Sequence, residues 1–269
     1  ELCLGCGLCE AIGKSQGYKM ELRSNGFYYP KFPENRCRDL EKTMSELCPA
    51  INIVGVRSKG IWGNVESAHY AWSNNTEIRT KGSSGGVISR ICIYLLEKKM
   101  INGVLHVGRV KDHFLNNKLH ISRTREEVLA NASSRYAPAL VLNELIDILD
   151  KTNERYCFVG KPCDILALQN FIKQNDKYRD RVIFYLALFC AGIPSYNATL
   201  DLLKETGRDD VPVSIKYRGE GWPGNFEAKY SDNYIYKTSY VHSWGKVLGR
   251  QVHFRCKICP DAIGLLGKR

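Results

Sequence analysis

Three cysteines at two-residue intervals, Cys3-x2-Cys6-x2-Cys9, constrain this chain more than any other feature. Thiolates at that spacing wrap a compact turn around one iron–sulfur cube, whose usual fourth ligand is a distant Cys followed by Pro. Cys48-Pro49 meets that description. Residues 1–55 hold five of the eleven cysteines, several glycines and no long amphipathic period, so they are expected to form a small module held by metal rather than by a core. Cys9 is not followed by a nearby Cys-Pro, and Cys37 alone stands where a second triad would begin. One cluster on Cys3, Cys6, Cys9 and Cys48 follows, with Cys37 left over. A zinc site on four of these five cysteines is the alternative, although the spacing is awkward for tetrahedral zinc.

The rest of the composition narrows the class. The chain has 269 residues, 44% of them hydrophobic and 25% charged. No apolar run approaches the roughly 18 residues of a membrane span, which argues against an integral membrane protein, and the apolar content argues against disorder. Lys and Arg exceed Asp and Glu by 39 to 28, a formal +11 that points to an anionic partner. Thiolates on metal would reduce that figure. An odd cysteine count and no leader-like start lead to the expectation of a reducing cytoplasm.

From about residue 80 the chain alternates helical and strand patterns, so an α/β domain over 56–269 is expected, with a mixed sheet covered by helices. Val87, Ile88, Ile91, Leu95 and Leu96 have helical spacing, GVLHVGRV (103–110) reads as a strand, and Thr124 with Glu127 has capping-box spacing. A helix is predicted over 138–150, a strand over 156–160, a helix over 164–172 and a doubly covered strand over 182–189. Alternation at 214–217, 226–230 and 234–237 predicts antiparallel strands that make the sheet mixed.

Two more groups of residues carry chemistry. Cys163 and Cys190 follow apolar strands, where α/β proteins place ligands, and Cys256-x2-Cys259 is half a metal site. The four could converge on one centre, though each alone reads as an inert thiol. Cys92 and Cys157 sit in apolar patterns and are expected in the core. Lys81-Gly82-Ser83-Ser84-Gly85-Gly86 opens a helix, whose free N–H groups favour phosphate, although a plain turn is the alternative. In Ser133-Ser134-Arg135-Tyr136 a cation could meet phosphate while Tyr136 packs on a ring system. Lys161 beside Cys163 could reach either group. Tyr217 to Gly224 would suit a loop over a substrate, or an exposed hairpin. His106, His242 and His253 lack ligand spacing and are expected to be structural.

GSSGGVIS (82–89), VGKPCDILAL (159–168), FCAGIPS (189–195) and CKICPD (256–261), in this order, resemble the coenzyme F420 hydrogenase/dehydrogenase β-subunit family. That family includes 7-hydroxymethyl chlorophyll a reductase and bacterial members in polysaccharide-biosynthesis settings. The resemblance implies an α/β domain that binds FAD, rather than FMN, and a 4Fe-4S cluster held by Cys163, Cys190, Cys256 and Cys259. It also implies a ferredoxin-like N-terminal segment with a second 4Fe-4S cluster on Cys3, Cys6, Cys9 and Cys48, and flavin against Lys81, Ser83, Ser84, Gly85, Gly86, Ser134, Arg135, Tyr136 and Lys161. The family continues well past the point where this sequence stops, so its C-terminal part is expected to be incomplete here.

The function expected is that of an iron–sulfur flavoprotein oxidoreductase. It would link a ferredoxin-like or other one-electron donor, two clusters, FAD and a small-molecule substrate, either a deazaflavin or a biosynthetic intermediate, sugar-related or otherwise. No catalytic acid or base is identified. A cluster-bearing relay without its own substrate is the first rival. A zinc-stabilised nucleic-acid-binding protein is a remote second, because the basic residues are spread along the chain rather than grouped with aromatics.

Overall fold

The computed structural model describes residues 2–53, 65–110, 113–219, 221–264 and 266. The expected boundary near residue 55, Glu220 of the 217–224 loop and most of the last five residues lie outside them. The N-terminal part contains α1 (Leu8–Gly13), a hairpin of β1 (Lys19–Leu22) and β2 (Tyr28–Lys31), and α2 (Arg38–Leu47). There follow α3 (Thr76–Lys81), α4 (Val87–Glu97), β3 (Gly103–Val110), β4 (His113–Ser122), α5 (Arg125–Ala130) and α6 (Leu145–Lys151). Next come β5 (Tyr156–Gly160), α7 (Pro162–Gln174), β6 (Val182–Ala187) and α8 (Tyr196–Lys204). The chain continues through β7 (Ser214–Lys216), β8 (Phe226–Lys229), β9 (Ile235–Thr238), a π-helical stretch over Val241–Val247 and α9 (Phe254–Lys257).

The central sheet runs β4-β3-β5-β6, with β3, β5 and β6 parallel and β4 antiparallel at the edge. Period-two alternation divides its two faces. Leu105 and Phe158 pack with Leu145 and Leu149 of α6 and Leu168 and Phe171 of α7. Val104 and Cys157 pack on the other face with Cys92 and Ile93 of α4 and Val128 of α5. Both cysteines expected in the core are therefore there, and the neighbouring Cys92, then burial, pushes the Cys157 thiol far up. A third cluster joins α8 to the separate sheet β7-β8-β9 through Leu202, Tyr217 and Phe226.

The mixed α/β architecture matches expectation, and four details differ. The C-terminal strands form their own antiparallel sheet, and it is β4, which sequence reasoning missed, that makes the central sheet mixed. The helix predicted over 138–150 forms only as α6, because the preceding backbone is engaged elsewhere: the Asn117 amide donates to the carbonyls of Ala137 and Pro138, and Leu142 N–H donates to Cys6 O at 2.8 Å. The apolar run at 182–189 stops as a strand at Ala187 and forms the sheet edge, with Phe189 85% exposed. The N-terminal segment shares a core with the body rather than lacking one: Leu8 and Leu47 are buried in the same cluster as Leu105 and Phe158. The end of α1 and the hairpin are tied to the body by Lys14–Asp147 at 2.9 Å and by Tyr196 N–H donating to Gly26 O at 3.0 Å.

Candidate functional site

Left-handed backbone at Gly5 (φ 65°) and Gly7 (φ 90°) turns the first three cysteines around one point, and the Gly5 N–H donates to Cys3 Sγ at 3.4 Å. Gly7 allows an approach that a Cβ would block, since that atom would stand 2.9 Å from Asn143 N. Cys48 ends α2, and its charge is felt at Cys3 and Cys9, as that of Cys3 is at Cys6 and Cys9, so the four thiols share one neighbourhood. Cys37 precedes the other end of this ten-residue helix, on the order of 15 Å away, and is exposed.

The second group is assembled from distant parts of the chain. Cys163 lies in the first turn of α7, where Pro162 suits a position that needs no N–H donor and Asp164 accepts from the Lys161 backbone at 3.3 Å. Cys190 follows β6, its N–H donating to Ala262 O at 2.8 Å. Gly192 (φ 104°) brings this loop close to the third segment, where a Cβ would lie 3.2 Å from Cys256 Cβ. Cys256 and Cys259 flank the end of α9, and Asp261 N–H donates to Cys259 Sγ at 3.4 Å. All four cysteines line one cavity, together with Lys161 and, from the N-terminal segment, Leu4 and Pro49.

Burial raises three thiols in each group. It is the largest influence at Cys9, pushed up to about 12, and at Cys3, Cys190 and Cys256, and it drives Cys6 and Cys163 higher still with help from Asp164. A metal entering either group must therefore displace protons. No three His, Cys, Asp or Glu among the described residues are gathered as ligands of a single ion. A cube bonds each thiolate through a different corner iron, so its ligands stand further apart than those around one zinc.

A second cavity of about 220 Å³ lies elsewhere and is basic, lined by Lys81, Arg109, Ser134, Arg135, Lys216 and Arg218 among others. Ser134 Oγ donates to Ser83 Oγ at 2.8 Å, which joins the two segments singled out as phosphate-binding. Arg135 donates to Asn117 through Nε, its guanidinium lies 5.7 Å from the Tyr217 ring centre, and Nη2 is buried with no hydrogen-bond partner. Burial, then nearby Arg109 opposing Tyr217, lowers the Arg135 pKa. Lys81 is also paired with Glu77 at 2.9 Å.

Several expected residues fall differently. Lys161 lines the cysteine cavity rather than the basic one, because it caps α7 next to Cys163. Tyr136 packs against Trp244 and Tyr217 rather than lining the basic cavity. Gly85 (φ 77°) and Gly86 (φ 71°) shape the turn into α4, and Ser84 also has positive φ, but these three and Ser83 do not line that cavity, which Ser83 reaches only through its bond to Ser134. Arg109 and Lys216 were missed, since single cations on strands carry no local signal. His106 bonds Ser122 at 2.7 Å and His253 bonds Tyr29 at 3.0 Å, both structural contacts.

Residues 68–146 match the N-terminal part of the family described as coenzyme F420 hydrogenase/dehydrogenase, beta subunit, and residues 153–267 match the C-terminal part of the same family. The chain belongs to this family of oxidoreductase subunits. It is 28% identical to the coenzyme F420 hydrogenase subunit beta of Methanococcus voltae over 74% of this chain and 69% of that protein. It is 24% identical to the coenzyme F420-dependent sulfite reductase of Methanocaldococcus jannaschii over 77% of this chain, spanning only 33% of that relative. A chain of the F420-reducing [NiFe] hydrogenase complex from Methanosarcina barkeri shares the fold, with a TM-score of 0.55 at 20% identity, over 73% of this chain and 66% of that one. No helix among the described residues is long and apolar enough to cross a membrane.

Proposed function

We propose that this chain is a two-cluster iron–sulfur flavoprotein that passes electrons between a one-electron partner and a small anionic substrate. The observation that carries the reading is the gathering of Cys163, Cys190, Cys256 and Cys259, from three separate segments, onto one cavity. Cys3, Cys6, Cys9 and Cys48 form the second ligand set, in a ferredoxin-like segment over 1–55 that serves a flavin-binding domain over 56–269. The donor chemistry fits: each set offers four thiols, and apolar neighbours such as Leu166 and Ile193 limit water at the set that contains Cys163. When bound, 4Fe-4S clusters supply one-electron steps, and a flavin couples them to two-electron chemistry.

The basic cavity fits the phosphates of FAD. Arg135 Nη2 is a buried donor awaiting an acceptor, and Lys81, Arg109 and Arg218 add positive charge around it. Ser83 and Ser134 hold the two segments together at its edge. Its volume is smaller than the roughly 300–1,000 Å³ of whole-ligand pockets, so it suits the diphosphate rather than the full dinucleotide. A deazaflavin is the substrate class that the relatives' names favour, with a redox protein as the partner. A cytoplasmic setting suits eleven cysteines kept reduced.

Anaerobic purification with iron, sulfide, zinc and flavin measured on one sample tests the reading. About eight iron and eight sulfide with one flavin per chain is the expected result. Zinc without sulfide or flavin would overturn it, and clusters without flavin would favour the relay.

A further inference from the structure

We infer that Trp222 is a stacking platform for a planar heteroaromatic ring whose phosphate occupies the basic cavity, so that the turn carrying it is part of the ligand site. The inference rests on the proposed reading that this cavity takes the diphosphate of FAD. A space of about 220 Å³ holds the diphosphate and leaves both ring systems of the dinucleotide outside it. Each ring is carried only a sugar's length from the phosphates, so a ring surface is needed beside the cavity rather than within it.

The turn around Trp222 is fixed to the wall of that cavity. Arg218 and Gly219, at its start, line the cavity, and so does Ser133, whose hydroxyl donates to Arg218 O at 2.8 Å. Gly219 N–H donates to Asn225 O at 2.6 Å and closes the base, where Gly224 (φ 77°) approaches so near that a Cβ would stand 2.6 Å from Gly219 O. Arg218 Nε donates to Pro223 O at 2.7 Å, and its guanidinium lies 5.0 Å from the Tyr240 ring centre. At the tip, Gly221 N–H donates to Thr80 O at 3.1 Å, and Thr80 precedes Lys81, another residue of the cavity wall. Backbone dimensions then hold Trp222 Cα within about 11 Å of Lys81 Cα.

Packing does not account for the indole. Trp222 is 83% exposed, although the backbone on either side of it is anchored. A single apolar side chain on a surface is ordinary, but this one is of the largest kind and is placed by hydrogen bonds to the cavity wall rather than by a core. The neighbouring aromatics are engaged elsewhere: Tyr217 is buried, and Tyr136 packs on Trp244. The chemistry that fits is a flat ring on the indole face with its phosphate in reach of Lys81 and Arg218, because an open indole face stacks heteroaromatic rings with little discrimination. Adenine and isoalloxazine, the two ends of FAD, both satisfy that description.

The test is a calorimetric titration of the full chain, its flavin removed anaerobically, with FAD, FMN and ADP as probes. W222A is expected to weaken FAD binding on the order of tenfold, and W222F, which keeps a ring, by less. FAD and ADP weakened together, with FMN unchanged, would assign adenine to the indole. FAD and FMN weakened together, with ADP unchanged and flavin emission stronger on W222A than on the native chain, would assign isoalloxazine. Unchanged FAD affinity in W222A would overturn the platform. So would equal weakening of all three probes, which would place the loss in the phosphate cavity they share. A native chain that bound none of the three would instead defeat the reading of the cavity and the platform with it, a failure visible before any variant is made.

Discussion

The two cysteine groups reach similar ends by opposite routes. The first takes three of its four thiols from a single turn, bent by left-handed Gly5 and Gly7, with Cys48 delivered by one helix. The second draws Cys163, Cys190 and the Cys256/Cys259 pair from loops that meet only because β5 and β6 are parallel neighbours and Gly192 lets the last segment approach. A local constellation is written into spacing, whereas a dispersed one is created by sheet register. The first group nevertheless depends on the sheet too, since Leu8 and Leu47 share its core.

The largest effect should come from removing one ligand at a time. C190S is expected to lower iron from about eight to about four per chain, leaving the first cluster in place, and C9S to do the converse. Iron and sulfide assays check this, and a single substitution that emptied both groups would break the contrast between them. Leu47→Ala should cost about 2–5 kcal/mol, because the residue is fully buried in the shared cluster. Denaturant unfolding followed by circular dichroism and tryptophan fluorescence should show one common transition. An early step confined to circular dichroism would mean that the N-terminal segment unfolds on its own.

Away from both groups, His106 tests the central sheet. Burial, then the neighbouring His120, lowers its pKa from 6.5 to about 4. The unfolded chain binds this proton below about pH 6.5 and the folded chain does not, so stability should fall as pH drops from 6.5 toward 4. The loss attributable to this residue is about 3 kcal/mol. Urea titrations at pH 7 and pH 4.5 should show a smaller pH dependence in H106Q than in the native chain. The smallest effect concerns the basic cavity. S134A removes the Ser134–Ser83 bond, worth about 1 kcal/mol, and should weaken flavin binding roughly fivefold in a fluorescence titration.

Much of the fold was legible in short signals. The strands at 103–110 and 156–160 were bounded correctly because apolar β-branched runs sit between turn residues, and the start of α5 followed from Thr124, whose hydroxyl accepts from Glu127 N–H at 3.2 Å. β4 was missed because HFLNNKLHIS mixes polar and apolar residues on an edge strand that is only half covered. The segment 138–144 looked helical because its apolar side chains are periodic, but its carbonyls and N–H groups found partners in Asn117 and Cys6. Arg109 and Lys216 could not be linked to Arg135 from spacing, since they meet it across two different sheets.

The sequence by itself determined the Cys3-x2-Cys6-x2-Cys9 spacing, the family and the alternation of helices and strands, because each is carried by short segments whose own residues hold the signal. Tertiary structure decided that the second group closes on one cavity, that Lys161 faces those thiols rather than the basic cavity, and that Asp164 stands where its charge reaches both groups. The physical reason is that burial and electrostatic neighbourhood are set by which elements pack together, and no local spacing records that.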